Sequence, residues 1–180
     1  MTQSDEGDRA PSIAAWLRAH VTDDPRALAW FADPESEPRI QRAFRELLSG
    51  YAVDPASVLK TTRVLEAGER RGVVTVHDVR FYSLCAHHFL PFFGRASVSY
   101  LPGDRILGLG KLPRLVDVLS RRFCIQEDLT REIAEALIEH GGARGARVIT
   151  EAQHLCMCAR GPSQPESTTR VEIALGELSP

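Results

Sequence analysis

The sequence is short of most features that mark a class at a glance. No apolar run approaches the ~20 residues that cross a bilayer, so no membrane partner is expected. The formal net charge is only −2, without the basic excess that neutralising nucleic-acid phosphates requires, so nucleic acid is not expected either. A glycine-rich dinucleotide loop is missing. Cysteine is scarce, four in all at uneven spacing, which is not the pattern of a disulfide framework. The opening MTQSDEGDRAPS is acidic and polar, unlike a secretory signal or a transit peptide. A cytoplasmic, reducing setting is therefore expected, and there a group of Cys and His points to metal or to catalysis.

What remains is an ordinary globular composition. The chain has 180 residues, 43% hydrophobic and 26% charged, enough to bury a real core. The first dozen residues are polar and aperiodic and are expected to lack order. SIAAWLRAHV and DPRALAWFA read as short helices in which Trp16 and Trp30 pack. EPRIQRAFRELLSGY is a stronger helix, with Pro38 in its first turn, Ile40, Phe44, Leu47 and Leu48 at helical spacing, and Gly50 as its cap. Residues 1–50 thus form a polar tail and helical region, and residues 51–180 a second domain. From Gly72 the rhythm turns to strands: GVVTVHDVRFYSL, GRASVSYL and, past a PGD turn, RILGLG. LPRLVDVLSRRF and DLTREIAEALIEHGG read as helices, the second with Leu129, Ile133 and Leu137 on one stripe and Gly141 as its stop. ARVITEAQHLCMCAR reads as a long strand and TTRVEIALGEL as another. The order suggests an α+β fold, an antiparallel sheet with helices on one face.

Three of the four cysteines and three of the six histidines fall in two short stretches, SLCAHHFL at 83–90 and QHLCMCARG at 153–161. Zinc favours thiolate and imidazole in tetrahedral array, closed by four protein ligands in structural sites and left with one open position in catalytic ones. Cys85 and His88 are spaced to fold onto one ion. On a strand, His154, Cys156 and Cys158 would share a face. Cys85, His88 and Cys156 would then make three ligands, with His87 and His154 beside the metal as proton-transfer groups. The competing arrangement is a closed structural site of Cys85, His88, Cys156 and Cys158.

The stretch from SLCAHHFLPFFGRASVSYLPGDRILGLGKLPRLVDVLSRRFCIQEDLTREIAEAL to EAQHLCMCARG resembles the GTP cyclohydrolase I family. That family carries C-E-H-H, G-K-x-x-[IV]-x-Y-x-P, G-L-S-K-x-x-R, Q-E-R-L-T and H-x-C-x-x-x-R-G in this order, and the likeness runs over residues 38–180. It implies the tunnelling fold, an antiparallel four-stranded sheet with helices on one face, assembled as a homodecamer of two pentamers. The implied reaction is zinc-dependent opening of the imidazole ring of GTP at C8, releasing formate and giving 7,8-dihydroneopterin triphosphate for pterin and tetrahydrofolate biosynthesis. Cys85, His88 and Cys156 match the Zn2+ ligands, and His87 and His154 the proton-transfer histidines. Glu127 matches the carboxylate that receives the N–H edge of guanine, whose two donors suit two carboxylate acceptors, and Gln126 is counted with it among the substrate contacts. Lys111, Arg114, Arg160 and Arg39 match the cations that hold the triphosphate.

The chain departs from the family pattern at several places. Ala86 replaces the glutamate of C-E-H-H, and Gly110 the serine of G-L-S-K. Cys158 occupies a variable position, read as a small buried thiol or a spare ligand. PSQPESTTRVEIAL brings Arg170 into a segment that is richer in threonine elsewhere, and the N-terminal helical region is short. Losing both the glutamate and the serine bears on efficiency, or on acceptance of a related purine nucleotide.

Overall fold

The structure, a computed structural model, describes residues 12–60, 62–66, 68–69 and 72–180. Of the opening dozen residues only Ser12 lies within that range, and its hydroxyl accepts from Ala15 N–H to cap the first helix. The chain divides into two compact units, one ending at Glu46 and one spanning Leu47–Pro180. Among the described residues no helix is long and apolar enough to cross a membrane.

The first unit carries α1 (Ile13–His20), α2 (Pro25–Ala29) and nearly all of α3 (Ser36–Leu47). Trp16 and Trp30 do not pack as expected: they stand 52% and 79% exposed. These helices are too short to build an interior, since α1 buries no residue and α2 only Leu28. The end of α3 also differs from the expectation. Gly50 does not cap it but sits buried in a following 3-10 turn, where its N–H donates to Arg121 O at 3.0 Å and a Cβ would lie 2.0 Å from Val118 O.

In the second unit, after α4 (Pro55–Val58), β1 (Thr62–Val64) pairs with β4 (Arg105–Leu107) as a separate ribbon. The main sheet has four antiparallel strands, β2 (Val74–Cys85), β3 (Pro91–Pro102), β6 (Ala143–His154) and β7 (Thr169–Gly176), adjacent in that order. A fifth strand, the two-residue β5 (Phe123–Cys124), adds parallel to β2 at Leu84 and Cys85. It exists because the helix expected over 112–123 stops at Ser120: α5 is Lys111–Ser120, and Phe123 and Cys124 swing out to the sheet. Next, α6 (Gln126–Glu139) buries Leu129, Ile133 and Leu137 completely, as their spacing requires, with Leu112, Leu115 and Val116 of α5 beside them. Together these stripes meet Phe81, Phe92, Val98, Tyr100 and Val148 from the sheet in one core.

Two local features decide which side chains face that core. In β2 the register shifts between Val76 and Val79, with Asp78 at φ 58°. This bulge inserts one residue and so reverses the alternation. Val74 and Val76 pack toward the core before it, and Val79, Phe81 and Cys85 are buried after it, on positions of opposite parity. In β3, Gly94 lies against β6 so closely that a Cβ would stand 1.9 Å from Glu151 O. No side chain fits there, and the approach fixes the register that sets Phe92 opposite His154.

The long strand expected over 146–160 ends at His154, and Leu155–Cys158 wind into the single turn of α7. Buried residues alternate along β6 at Ala146, Val148, Thr150 and Ala152, so His154 closes the core-facing row at the strand's end.

Gly94→Ala is expected to part β3 from β6, lowering the urea midpoint by the equivalent of about 1–3 kcal/mol and disturbing the His154 end of the sheet. Ile133→Ala should cost about 2–5 kcal/mol in the same urea titration while leaving the strand register, followed by amide exchange, unchanged.

Candidate metal centre

Cys85 is the last residue of β2, buried at the head of a tight loop. Its N–H donates to Leu90 O at 2.9 Å, and Phe89 N–H donates back to Cys85 O at 2.9 Å. Phe89 takes a left-handed φ of 59°, and its ring lies 4.9 Å from that of Phe123. From the other side Ala86 N–H donates to Cys124 O at 3.1 Å, so β5 pins the loop as well. His87 and His88 project from this loop, both exposed, their rings 6.1 Å apart and edge-on.

The second cluster meets the first at the end of β6. The Sγ atoms of Cys85 and Cys156 and a ring nitrogen of His88 all lie within 4.8 Å of one another. Among the described residues no fourth His, Cys, Asp or Glu joins them. Cys158 does not share a face with Cys156, contrary to the strand-based expectation, because both lie on the turn of α7. Two residues along a helix are roughly 200° apart, and Cys158 is left half-buried outside the group. The closed four-ligand arrangement thus has no geometry behind it. Two thiols and an imidazole at this separation suit a soft or borderline cation, and they leave room for a further ligand.

The local electrostatics fit a cation. Burial, and then the neighbouring Cys85 thiol, push the Cys156 thiol above its usual range, because two adjacent thiolates without a positive partner repel. Cys124, paired with Cys85 across β5, is a different kind of thiol. Burial pushes it up to about 11, and its Sγ lies 3.1 Å from Ser83 Oγ.

His154 ends β6, two residues before Cys156. Its ring stacks on Phe92 with centroids 4.7 Å apart and planes 1° from parallel, and its Nε2 lies 2.7 Å from Gln126 Oε1. Burial holds the imidazole below its usual range, against the upward pull of the Glu127 carboxylate. Gln126, expected among the substrate contacts, is 1% exposed with its amide committed inside the protein, so it is the support of His154 rather than a surface contact. Glu127, the next residue, is exposed in the first turn of α6.

The expected anion-binding cations occupy three places. Lys111 and Arg114 stand one helical turn apart at the start of α5, the first half-buried and the second exposed. Gly110 ahead of them caps the helix with no side-chain bond, and nothing lies within 4 Å of where its Cβ would be, so a serine would fit there. Arg160, exposed after α7, acts electrostatically on Cys156. None of the three forms an ion pair among the described residues, whereas Arg121, Arg131, Arg144, Arg147 and Arg170 all do. Arg39 belongs to the first unit, where its guanidinium donates to Ser36 Oγ at 3.2 Å.

The family model for GTP cyclohydrolase I matches residues 21–180. The chain belongs to the GTP cyclohydrolase I family. It is 48% identical over 140 residues to the GTP cyclohydrolase 1 of Campylobacter lari, covering 78% of this chain and 73% of that one. It is 41% identical over 178 residues to the enzyme of that name from Bifidobacterium longum, covering 98% and 85%. With the Allorhizobium ampelinum relative it shares 41% over 171 residues, 95% of this chain and 83% of the other. Among solved structures, the archaeosine synthase QueF-Like in its apo form aligns at 16% identity and a TM-score of 0.49, over 62% of this chain and all of that one. The chain is a GTP cyclohydrolase I-like enzyme, and its four antiparallel strands with helices on one face form the tunnelling fold.

Phe92, Thr130 and Thr150 support His154 and Gln126 without carrying a motif of their own. Signals were present, since Gln126 and Thr130 lie four apart on one helix and Thr150 falls on the same strand face as His154. Periodicity alone could not say that the two sets meet. Cys156→Ser is expected to lose stoichiometric metal measured by plasma mass spectrometry of the purified protein, whereas Cys158→Ser should keep it.

Proposed function

We propose that this family member is a zinc-dependent hydrolase that opens the imidazole ring of GTP at C8, releases formate and yields 7,8-dihydroneopterin triphosphate. The convergence of Cys85, His88 and Cys156, the last of them two residues past His154, carries this reading. Zinc, when bound by those three side chains, supplies Lewis acidity that makes water a nucleophile near neutral pH.

The protein's own groups do the rest. His154 and His87 are assigned the proton transfers of ring opening. A depressed proton affinity at His154 suits a group that is neutral at the start of the cycle and must first accept. Glu127 accepts the N1–H and the 2-amino group of guanine, and its exposure beside His154 supports that role. Lys111, Arg114 and Arg160 hold the triphosphate, their lack of internal carboxylate partners leaving them available to an anion. Arg39 is assigned the same task on the family likeness alone.

We further place the reaction in the cytoplasm, in a homodecamer of two pentamers. The outer edge of β7 carries no strand among the described residues, and an eight-residue open edge is suited to pairing with a second copy. Ala86 and Gly110 leave the donor set intact, so the same reaction is expected with fewer polar contacts around loop and phosphate.

Incubation of zinc-loaded protein with GTP should release formate and pterin fluorescence in equal amounts. Formate without pterin would show a reaction arrested at the ring-opened stage, and neither product would refute the reading. His154→Ala should lower kcat by ~10²–10⁴-fold while metal content stays near one per chain. Simultaneous loss of metal would contradict the proton-transfer role.

A further inference from the structure

We propose that Gln126 is a positioning residue that fixes which nitrogen of His154 carries the ring hydrogen, leaving Nδ1 as the only ring nitrogen free to exchange a proton. The inference rests on the proton-transfer role of His154 proposed above.

The Gln126 amide nitrogen lies 3.1 Å from Thr150 O, 3.0 Å from Thr150 Oγ1 and 3.0 Å from Thr169 O. Two of these are carbonyl oxygens, which only accept. The third is made an acceptor by its own neighbours. Thr130 Oγ1 donates its hydrogen to Gln126 O at 2.6 Å, so across the 2.7 Å contact between the two threonine hydroxyls Thr150 must be the donor. Thr150 Oγ1 then has only lone pairs to offer Gln126. Turning the amide over would set its oxygen against three acceptors in a fully buried place, a loss that nothing nearby offsets. The oxygen therefore faces His154.

An amide oxygen cannot donate. At 2.7 Å from Gln126 Oε1, His154 Nε2 has to carry the hydrogen. In the neutral ring Nδ1 is then a bare lone pair, and among the described residues it has no hydrogen-bond partner. The parallel ring of Phe92 holds the imidazole plane, so the arrangement leaves one orientation and one tautomer. The chain of constraint runs from Thr130 through Thr150 and Gln126 to His154, linking α6 to both β6 and β7.

Solid-state NMR of the zinc-loaded protein labelled with 15N-histidine tests this, with His154 assigned by difference from His154→Ala. The expected spectrum at pH 8 has a protonated Nε2 and an unprotonated Nδ1, and it needs no Gln126 variant. In Gln126→Met, which keeps the length and removes the acceptor, both tautomers should appear, and kcat should fall by ~10²-fold with little change in KM for GTP. A hydrogen on Nδ1 in the unaltered protein would overturn the proposal, as would a Gln126→Met protein with the original tautomer and kcat. Failure of the zinc-loaded protein to consume GTP would instead count against the reaction, because the nitrogen spectrum is read without turnover.

Discussion

The approach of Cys85 to Cys156 is the constraint on which the rest of the site depends. Two thiols held side by side in a largely apolar setting are poor neighbours once ionised, and a cation relieves that conflict. Everything around them serves the approach. The β2–β3 loop is tied off by its own backbone, β5 presses on it from outside, and β6 ends where α7 can turn Cys156 inward. Apolar packing of α5 and α6 then gives this meeting point a rigid floor. The metal group is thus a product of sheet geometry more than of either motif by itself.

Polar groups inside that floor are few and fully used. Gln126, Thr130 and Thr150 are all buried, and no buried side-chain nitrogen or oxygen among the described residues lacks a partner. Such a network stabilises little in net terms, because each bond replaces one to water. Its value lies in direction. A core of hydrocarbon would hold a histidine ring in place without telling it where to keep its hydrogen.

Much of this was legible in the residues. The α6 stripe of Leu129, Ile133 and Leu137 follows from helical spacing, and the β-branched runs at 74–85 and 91–102 from strand preference. Cys85, His88 and Cys156 were legible as a group able to hold a metal, because thiols and an imidazole carry that chemistry, and the fold brings the three together. The departures have separate causes. Strand periodicity ends at His154, where the chain leaves the sheet, and so Cys158 lies on the turn of α7 and not on the strand face. Trp16 and Trp30 were expected inside because large aromatics usually are, but eight- and five-residue helices have no interior to offer. Gln126 looked like a substrate contact from its place beside Glu127. Only the three-dimensional neighbourhood of Thr150 and Thr169 shows its amide to be occupied.

The bulge in β2 carries a consequence for how this chain can vary. Because it resets the parity of the strand, the extra residue near Asp78 is what aims a thiol seven positions later, roughly 23 Å along the chain. Gain or loss of one amino acid at that spot would be felt less where it happens than at the far tip, where a sulfur would turn its back on its mate. Length in this segment therefore matters to the site as much as its chemistry does, because one residue more or less would reverse which face every later side chain takes.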